Sequence, residues 1–238
     1  MQSVHSTAIN KTIRENDGRV IRMMFTTSQQ DAIRTRLADL ARPVVIKFFE
    51  TSLDCPTCPE IRRLLQEVAD LSDHVTLEVY NLYTDDEEAR RYGVDKAPAI
   101  VLTDEQGENY GIRFYGAPSG YEFATLLEDI RMVADGASGL SDTTKARLAE
   151  LKHPVDLKVF VTPTCPYCPA AVRLAHQFAL ESPLVTASMV EATEFPEWAN
   201  RFNVYGVPKT VINDSEAWSL EGAAPEAMLL EQVMQTQA

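Results

Sequence analysis

The sequence predicts an α/β protein made of two tandem units, each a central mixed β-sheet flanked by helices in the order helix, then βαβαββα. Three observations carry that reading. All four cysteines fall in two Cys-x-x-Cys pairs, Cys55-Pro56-Thr57-Cys58 and Cys165-Pro166-Tyr167-Cys168. Pro98 and Pro208 follow their pairs at one spacing (98 − 55 and 208 − 165 are both 43). The same order of apolar runs and helical patterns recurs around both pairs. At 238 residues the chain has room for two units of about 100 residues each.

The elements follow in order. Residues 1–22 are polar, have no counterpart before the second unit, and read as a disordered N-terminal extension without the apolar stretch of a signal peptide. The first unit is assigned to residues 23–135 and the second to 136–238, with Ala134-Asp135-Gly136 through Thr144, small and polar, as the linker. One helix starts near Thr27 or Ser28 and its counterpart near Ser141, each pattern closed by a proline, Pro43 or Pro154. The β-branched and aromatic runs Val44–Phe49 and Val155–Val161 suit buried strands. Each Cys-x-x-Cys then opens an amphipathic helix, with Ile61, Leu64, Leu65, Val68 and Leu71 on one apolar face and Val172, Leu174, Ala175, Phe178 and Ala179 on the other. Strands are expected at 75–81 and 184–190, then short helices, the first opened by a capping box at Thr84-Asp85-Asp86-Glu87. Strands near 98–103 and 208–213 begin at the special prolines, and a last strand and helix close each unit around Gly116 or Gly222.

Composition narrows the function. A net charge of −13 argues against nucleic-acid or anionic-membrane binding, which need a basic face. No apolar run approaches the roughly 20 residues of a membrane span. The chain reads as cytoplasmic, where Cys-x-x-Cys is catalytic or metal-binding more often than a structural staple.

Thiol–disulfide exchange needs an attacking thiolate, a nearby second thiol and control of both acidities. At a helix start, residues three apart share a face, and the free N–H groups favour an anion at the first sulfur. Cys55 and Cys165 are therefore read as nucleophiles, with Cys58 and Cys168 as resolving thiols. Pro56 and Pro166 are expected at the opening helical positions, and Pro59 and Pro169 within the first turn, where a missing N–H is no loss. The intervening pairs, Pro56-Thr57 and Pro166-Tyr167, tune each centre differently. Zinc on the four thiols and inert disulfides are the competing readings. The 106 residues between the pairs (59 to 164) fit no usual zinc-ribbon spacing, and neither alternative explains the prolines.

This arrangement resembles the thioredoxin/glutaredoxin superfamily, Cys-Pro-Tyr-Cys being typical of glutaredoxins. Two such units in one chain look like the protein disulfide oxidoreductases, strongly over Val161–Pro169 and Glu194–Lys209 and more loosely in the first unit. The resemblance covers about residues 23–236. It implies that the bonds Ala97–Pro98 and Val207–Pro208 are cis, that these prolines face the sulfurs, and that Ala97 and Val207 offer backbone hydrogen bonds to a bound peptide. It implies reversible exchange on protein substrates, with electrons from an NADPH-dependent, thioredoxin-reductase-like flavoprotein. No Gly-x-Gly-x-x-Gly fingerprint is present, so no bound cofactor is expected. Gly116-Ala117 and Gly222-Ala223 stand where glutathione-binding relatives carry paired glycines, which speaks against glutathione. A dedicated electron carrier to a peroxiredoxin is the related alternative, as in the tandem N-terminal domain of alkyl hydroperoxide reductase flavoproteins. A binding or chaperone module with secondary thiols is the alternative from another class.

A few other residues invite supporting roles. Thioredoxins bury a proton-relaying carboxylate near the position of Glu50, and Glu191 is a conceivable counterpart in the second unit. Lys47 and Lys158 occupy similar strand positions and read as strand-end lysines reaching water. His74, His153 and His176 read as surface or loop residues, and Trp198 and Trp218 as packing residues.

Overall fold

A computed structural model describes residues 13–14, 20–21 and 23–237. Most of the stretch 1–22, expected to be disordered, lies outside the described residues; within it β1 (Ile13–Arg14) pairs antiparallel with β2 (Val20–Ile21). The rest is a tandem repeat. The first half runs α1 (Thr27–Arg36), β3 (Val44–Glu50), α2 (Cys58–Ala69), β4 (Val75–Asn81), α3 (Asp86–Arg91), β5 (Ala99–Asp104), β6 (Ile112–Tyr115) and α4 (Glu122–Asp135). The second runs α5 (Asp142–Leu148), β7 (Val155–Val161), α6 (Cys168–Glu181), β8 (Val185–Glu191), α7 (Pro196–Arg201), β9 (Lys209–Ile212), β10 (Ser215–Glu221) and α8 (Glu226–Gln235).

The strands form one mixed sheet of eight, ordered β10-β9-β7-β8-β6-β5-β3-β4. Each half alone would leave two edges of unpaired N–H and C=O groups. The halves remove one edge each by pairing β6 with β8 in parallel, Ile112 opposite Ala187 and Tyr115 opposite Val190. Strand alternation then divides the core between the two faces. Val44, Ile46 and Phe48 join Leu157, Val159, Ile61, Leu65, Val172 and Phe178 in one cluster drawn from both halves. Phe49, Val101, Phe160 and Val190 face the other way, against Ala89 and Tyr92 of the first half and Phe195 and Phe202 of the second.

Glycines mark where the halves press together. Gly116 has φ +94°, and a Cβ there would lie 2.7 Å from Glu191 Cβ. Gly120, also at positive φ, leaves its Cβ space to the Pro163 backbone, and the adjoining Tyr121 N–H donates to Pro163 O (3.2 Å). The N-terminus of α4 thereby docks on the loop that leads to Cys165.

Several local expectations need correction. The irregular connection between the halves is only 136–141, because α4 continues through Asp135 and α5 starts at Asp142. Ser138 is buried within it, and Thr144 is buried in α5, so the stretch does not form a loose linker. The capping box at Thr84 is absent. Asp85 is the N-cap of α3 without a side-chain cap bond, and its carboxylate accepts from Asn81 N–H (2.7 Å) instead. Lys47 and Lys158 lie mid-strand, largely buried, and are not strand-end lysines. Lys47 Nζ donates to Glu78 (2.5 Å) and Tyr80 (3.3 Å), and Lys158 Nζ to Asp156 and to Asp214 (2.7 Å). Burial works against both ammonium groups, but these acceptors outweigh it and hold each above the ordinary lysine value. Among the described residues no helix is long and apolar enough to cross a membrane.

Candidate active sites

Both cysteine pairs lie where a strand of the sheet hands over to the following helix. β3 and β7 each end in a short loop, and Cys58 and Cys168 open α2 and α6. Cys55 is joined to Cys58 and Cys165 to Cys168, with Cα–Cα separations of 5.4 and 5.5 Å. Burial is asymmetric within each pair. Cys58 and Cys168 are sunk in the shared core, whereas Cys55 is half-buried and Cys165 lies at the core's margin. Pro56 and Pro166 do not occupy opening helical positions, because Thr57 and Tyr167 are the N-caps and the prolines precede them in the turn. Pro59 and Pro169 follow the first helical residue, where their missing N–H has no intrahelical partner to lose.

The Ala97–Pro98 and Val207–Pro208 bonds are both cis. Each proline carbonyl accepts from the glycine after the last strand of its half, Gly116 N–H to Pro98 O (3.1 Å) and Gly222 N–H to Pro208 O (2.8 Å). Cys165 Sγ lies 3.7 Å from Val207 O, so the cis-proline loop abuts the outer sulfur of the second pair.

The surroundings differ between the pairs. Tyr167 is 70% exposed and Tyr205, in the approach to Pro208, is 93% exposed. One between the cysteines and the other just ahead of the cis proline, they give the second site an aromatic margin. Thr57 instead donates its hydroxyl to Glu194 Oε2 (2.6 Å), a residue from the other half of the chain.

The acidic residues separate by environment. Glu50 is engaged by Arg62, whose Nε donates to it at 2.9 Å. Glu191 is buried at the end of β8; its Oε2 accepts from Thr193 Oγ1 (2.6 Å) and Glu194 N–H (2.7 Å), and its Oε1 has no partner. Three buried groups, Glu122, Asp129 and His176, escape sequence reasoning. Glu122, in the first turn of α4, accepts from Thr125 Oγ1 (2.8 Å) and leaves Oε1 without a partner among the described residues. Burial pushes its carboxyl up to about 7. His176 is not a surface or loop residue. It is fully buried on α6, with Nδ1 2.5 Å from Asp129 Oδ2 of α4. Burial raises the Asp129 carboxyl, with His176 opposing the rise. The helical spacing of His176 from Val172 and Ala179 on the buried face of α6 was the signal available for its burial. His74 and His153 are exposed. Trp198 packs edge-on against Tyr115 (5.0 Å between centroids). Among the described residues no cluster of three or more His, Cys, Asp or Glu side chains forms a metal-binding group.

A pair of strand–Cys-x-x-Cys–helix units, each with a cis-proline loop, defines a thiol–disulfide oxidoreductase of thioredoxin fold. Comparisons with known proteins agree. A thioredoxin-like domain model matches residues 30–131, and a thioredoxin domain model matches residues 155–235. The chain belongs to the protein disulfide oxidoreductases: it is 30% identical to the crystal structure of one from Aeropyrum pernix, with a TM-score of 0.82, covering 89% of this chain and 93% of that one. The N-terminal domain of alkyl hydroperoxide reductase AhpF from Enterococcus faecalis is 27% identical, with a TM-score of 0.79 over 90% of this chain and 100% of that one. The F component of alkyl hydroperoxide reductase from Escherichia coli is 25% identical over 81% of this chain. The chain spans about a third of the length of that curated relative, 34%.

Proposed function

We propose that the protein exchanges disulfides with protein substrates at two centres, carried by units 23–135 and 136–238, with residues 1–22 outside both. The observation that carries this reading is the doubled asymmetry of burial, the first cysteine of each pair less buried than the second, which sits in the core. In the reducing direction, the Cys55 or Cys165 thiolate attacks a client sulfur, forms a mixed disulfide, and releases the other client sulfur as a thiolate. Cys58 or Cys168 then loses its proton and attacks the enzyme sulfur. The client leaves with both sulfurs reduced, and the enzyme pair is oxidised. Ala97 and Val207, ahead of the cis prolines, would hold the client backbone during attack.

Deprotonating a buried resolving thiol needs a nearby acceptor. Glu122 is proposed for the second centre, since it lies in the turn of α4 docked on the Cys165 loop and titrates close to neutrality. Glu191, buried with a free oxygen, is a further candidate, and Glu50 the weaker one because Arg62 engages it.

Electrons are proposed to come from an NADPH-dependent, thioredoxin-reductase-like flavoprotein, in a cytoplasmic setting. The similarity to the F component of alkyl hydroperoxide reductase supports a second reading, delivery of those electrons to a peroxiredoxin. Dithiothreitol-dependent reduction of insulin tests the main reading. The full chain is expected to be active and the Cys55→Ser/Cys165→Ser variant inactive; retained activity in that variant would falsify the mechanism. Strong preference for one peroxiredoxin over insulin would favour the carrier reading.

A further inference from the structure

We infer that Glu194, contributed by the second half of the chain, is a positioning residue for the first centre, where its carboxylate suppresses the Cys55 thiolate at neutral pH. The inference rests on the dithiol–disulfide reading above.

Glu194 is fixed from both ends. Its Oε2 accepts from Thr57 Oγ1 (2.6 Å) and its Oε1 from the Ala117 N–H (2.6 Å). Its own N–H donates to Glu191 Oε2 (2.7 Å), and Glu191 is buried against Gly116. The carboxylate therefore cannot swing into solvent without breaking a joint between the two halves.

Its place matters because Thr57 lies between the two cysteines and is the N-cap of α2. A threonine there ordinarily accepts from N–H groups of the first turn. Thr57 makes no such bond and donates to Glu194 instead. An anion is thus held at the helix N-terminus, where the free N–H groups and the dipole would otherwise favour the Cys55 thiolate. Two negative charges compete for one region of positive potential, and the fixed one disfavours the other.

The other charged groups around this centre are of both signs. Arg62 is engaged by Glu50. Asp54 precedes Cys55, and Glu60 stands in the first turn of α2. In the cis-proline loop Asp95 accepts from Tyr115 OH (3.3 Å), and Lys96 lies over the Trp198 ring, 5.3 Å from its centroid. Glu191 lies behind Gly116. At the second centre the matching residue is Tyr167, 70% exposed, and the outer sulfur meets the Val207 carbonyl.

The test uses the full chain carrying Cys165→Ser/Cys168→Ser, so that only the first pair reacts. After reduction, iodoacetamide alkylation of Cys55 is followed against pH by mass spectrometry. Glu194→Gln is expected to lower the alkylation midpoint by about half a pH unit or more, roughly a threefold faster reaction at pH 7. Glu194→Ala should do the same, because both remove the charge, and added salt should narrow the gap to the parent. In a Cys55→Ser/Cys58→Ser chain, Glu194→Gln should leave the Cys165 midpoint in place. An unchanged Cys55 midpoint in Glu194→Gln, or a shift with Ala alone, overturns the inference and leaves only a packing role. Loss of insulin reduction is a separate readout: it would strike the redox reading while the alkylation midpoints still decide the role of Glu194.

Discussion

At the second centre the residue between the cysteines, Tyr167, stands in solvent, while at the first its counterpart Thr57 is tied to a carboxylate from the opposite half. The strand, helix and cis-proline scaffolds are alike, so the difference arises at the joint between the halves. Each centre borrows from the other half. The first takes Glu194, and the loop leading to the second is held by the N-terminus of α4 through the Tyr121 N–H. Duplication supplied two copies of one reaction plan, and joining the sheets at β6 and β8 gave each copy different neighbours.

Single-site variants should show the largest contrast. Cys165→Ser is expected to cost more than about tenfold in insulin reduction and Cys55→Ser less than about threefold, since the open aromatic margin favours client docking and the Glu194 carboxylate disfavours the Cys55 thiolate. Equal losses would erase the functional side of the comparison.

Gly116 and Gly222 sharpen the structural side, because they hold equivalent positions after β6 and β10. Both have positive φ, but a Cβ at Gly116 meets Glu191 and Glu194, whereas at Gly222 nothing lies within 4 Å. Gly222→Ala should cost about 1 kcal/mol from backbone strain alone and Gly116→Ala about 3 kcal/mol, read by urea denaturation. Matching losses would mean that the halves are not pressed together at Gly116.

The first-turn glutamates of α4 and α8 are opposed in titration. Burial raises the Glu122 carboxyl from the ordinary 4.5 to about 7, so the folded chain holds that proton more tightly than the unfolded one. Its contribution is present at low pH and is lost as pH rises from about 4.5 through about 7. Glu122→Gln should therefore gain on the parent across that window, by on the order of 3 kcal/mol above pH 7. Hydrogen bonds from Thr144 and Ser141 hold Glu226 below the usual carboxylate range. Its smaller contribution is present above the unfolded value and is lost as pH falls through the folded one, so Glu226→Gln should show the reverse trend. Thermal melts from about pH 2.5 to 8 check both slopes, Glu226 below about pH 4.5 and Glu122 above it, and parallel slopes would contradict the assigned environments.

Local signals made much of this legible in the sequence. The expected helix starts fall beside the observed N-caps Thr26 and Ser141, and the strand opened by Val44 and the one opened by Val155 follow their apolar runs. Periodicity and proline act over a few residues, so they can be read without partners. The joint could not be read in that way. Thr57 and Glu194 are 137 residues apart, and Asp129 and His176 are 47 apart. Nothing in the local pattern around Glu122 separates a buried carboxylate from a solvated one in a helical first turn. Lys47 and Lys158 misled for a related reason: the acceptors that make burial tolerable, Glu78, Asp156 and Asp214, include ones on neighbouring strands or turns.

The β6–β8 pairing is directional, joining a last strand of one half to the second strand of the next. The outer edges of the sheet are therefore β10, the counterpart of β6, and β4, the counterpart of β8. Repeated between molecules, the same head-to-tail contact would extend the sheet, into a ring if the rotation closes and a filament if it does not. The molecule carries features that oppose it. β10 has a register shift between Ser215 and Ser219 and presents Glu216 and Glu221, while β4 presents Glu78. An irregular edge offers a copy of the chain poor register for continuing the sheet, the kind of feature by which edge strands resist extension.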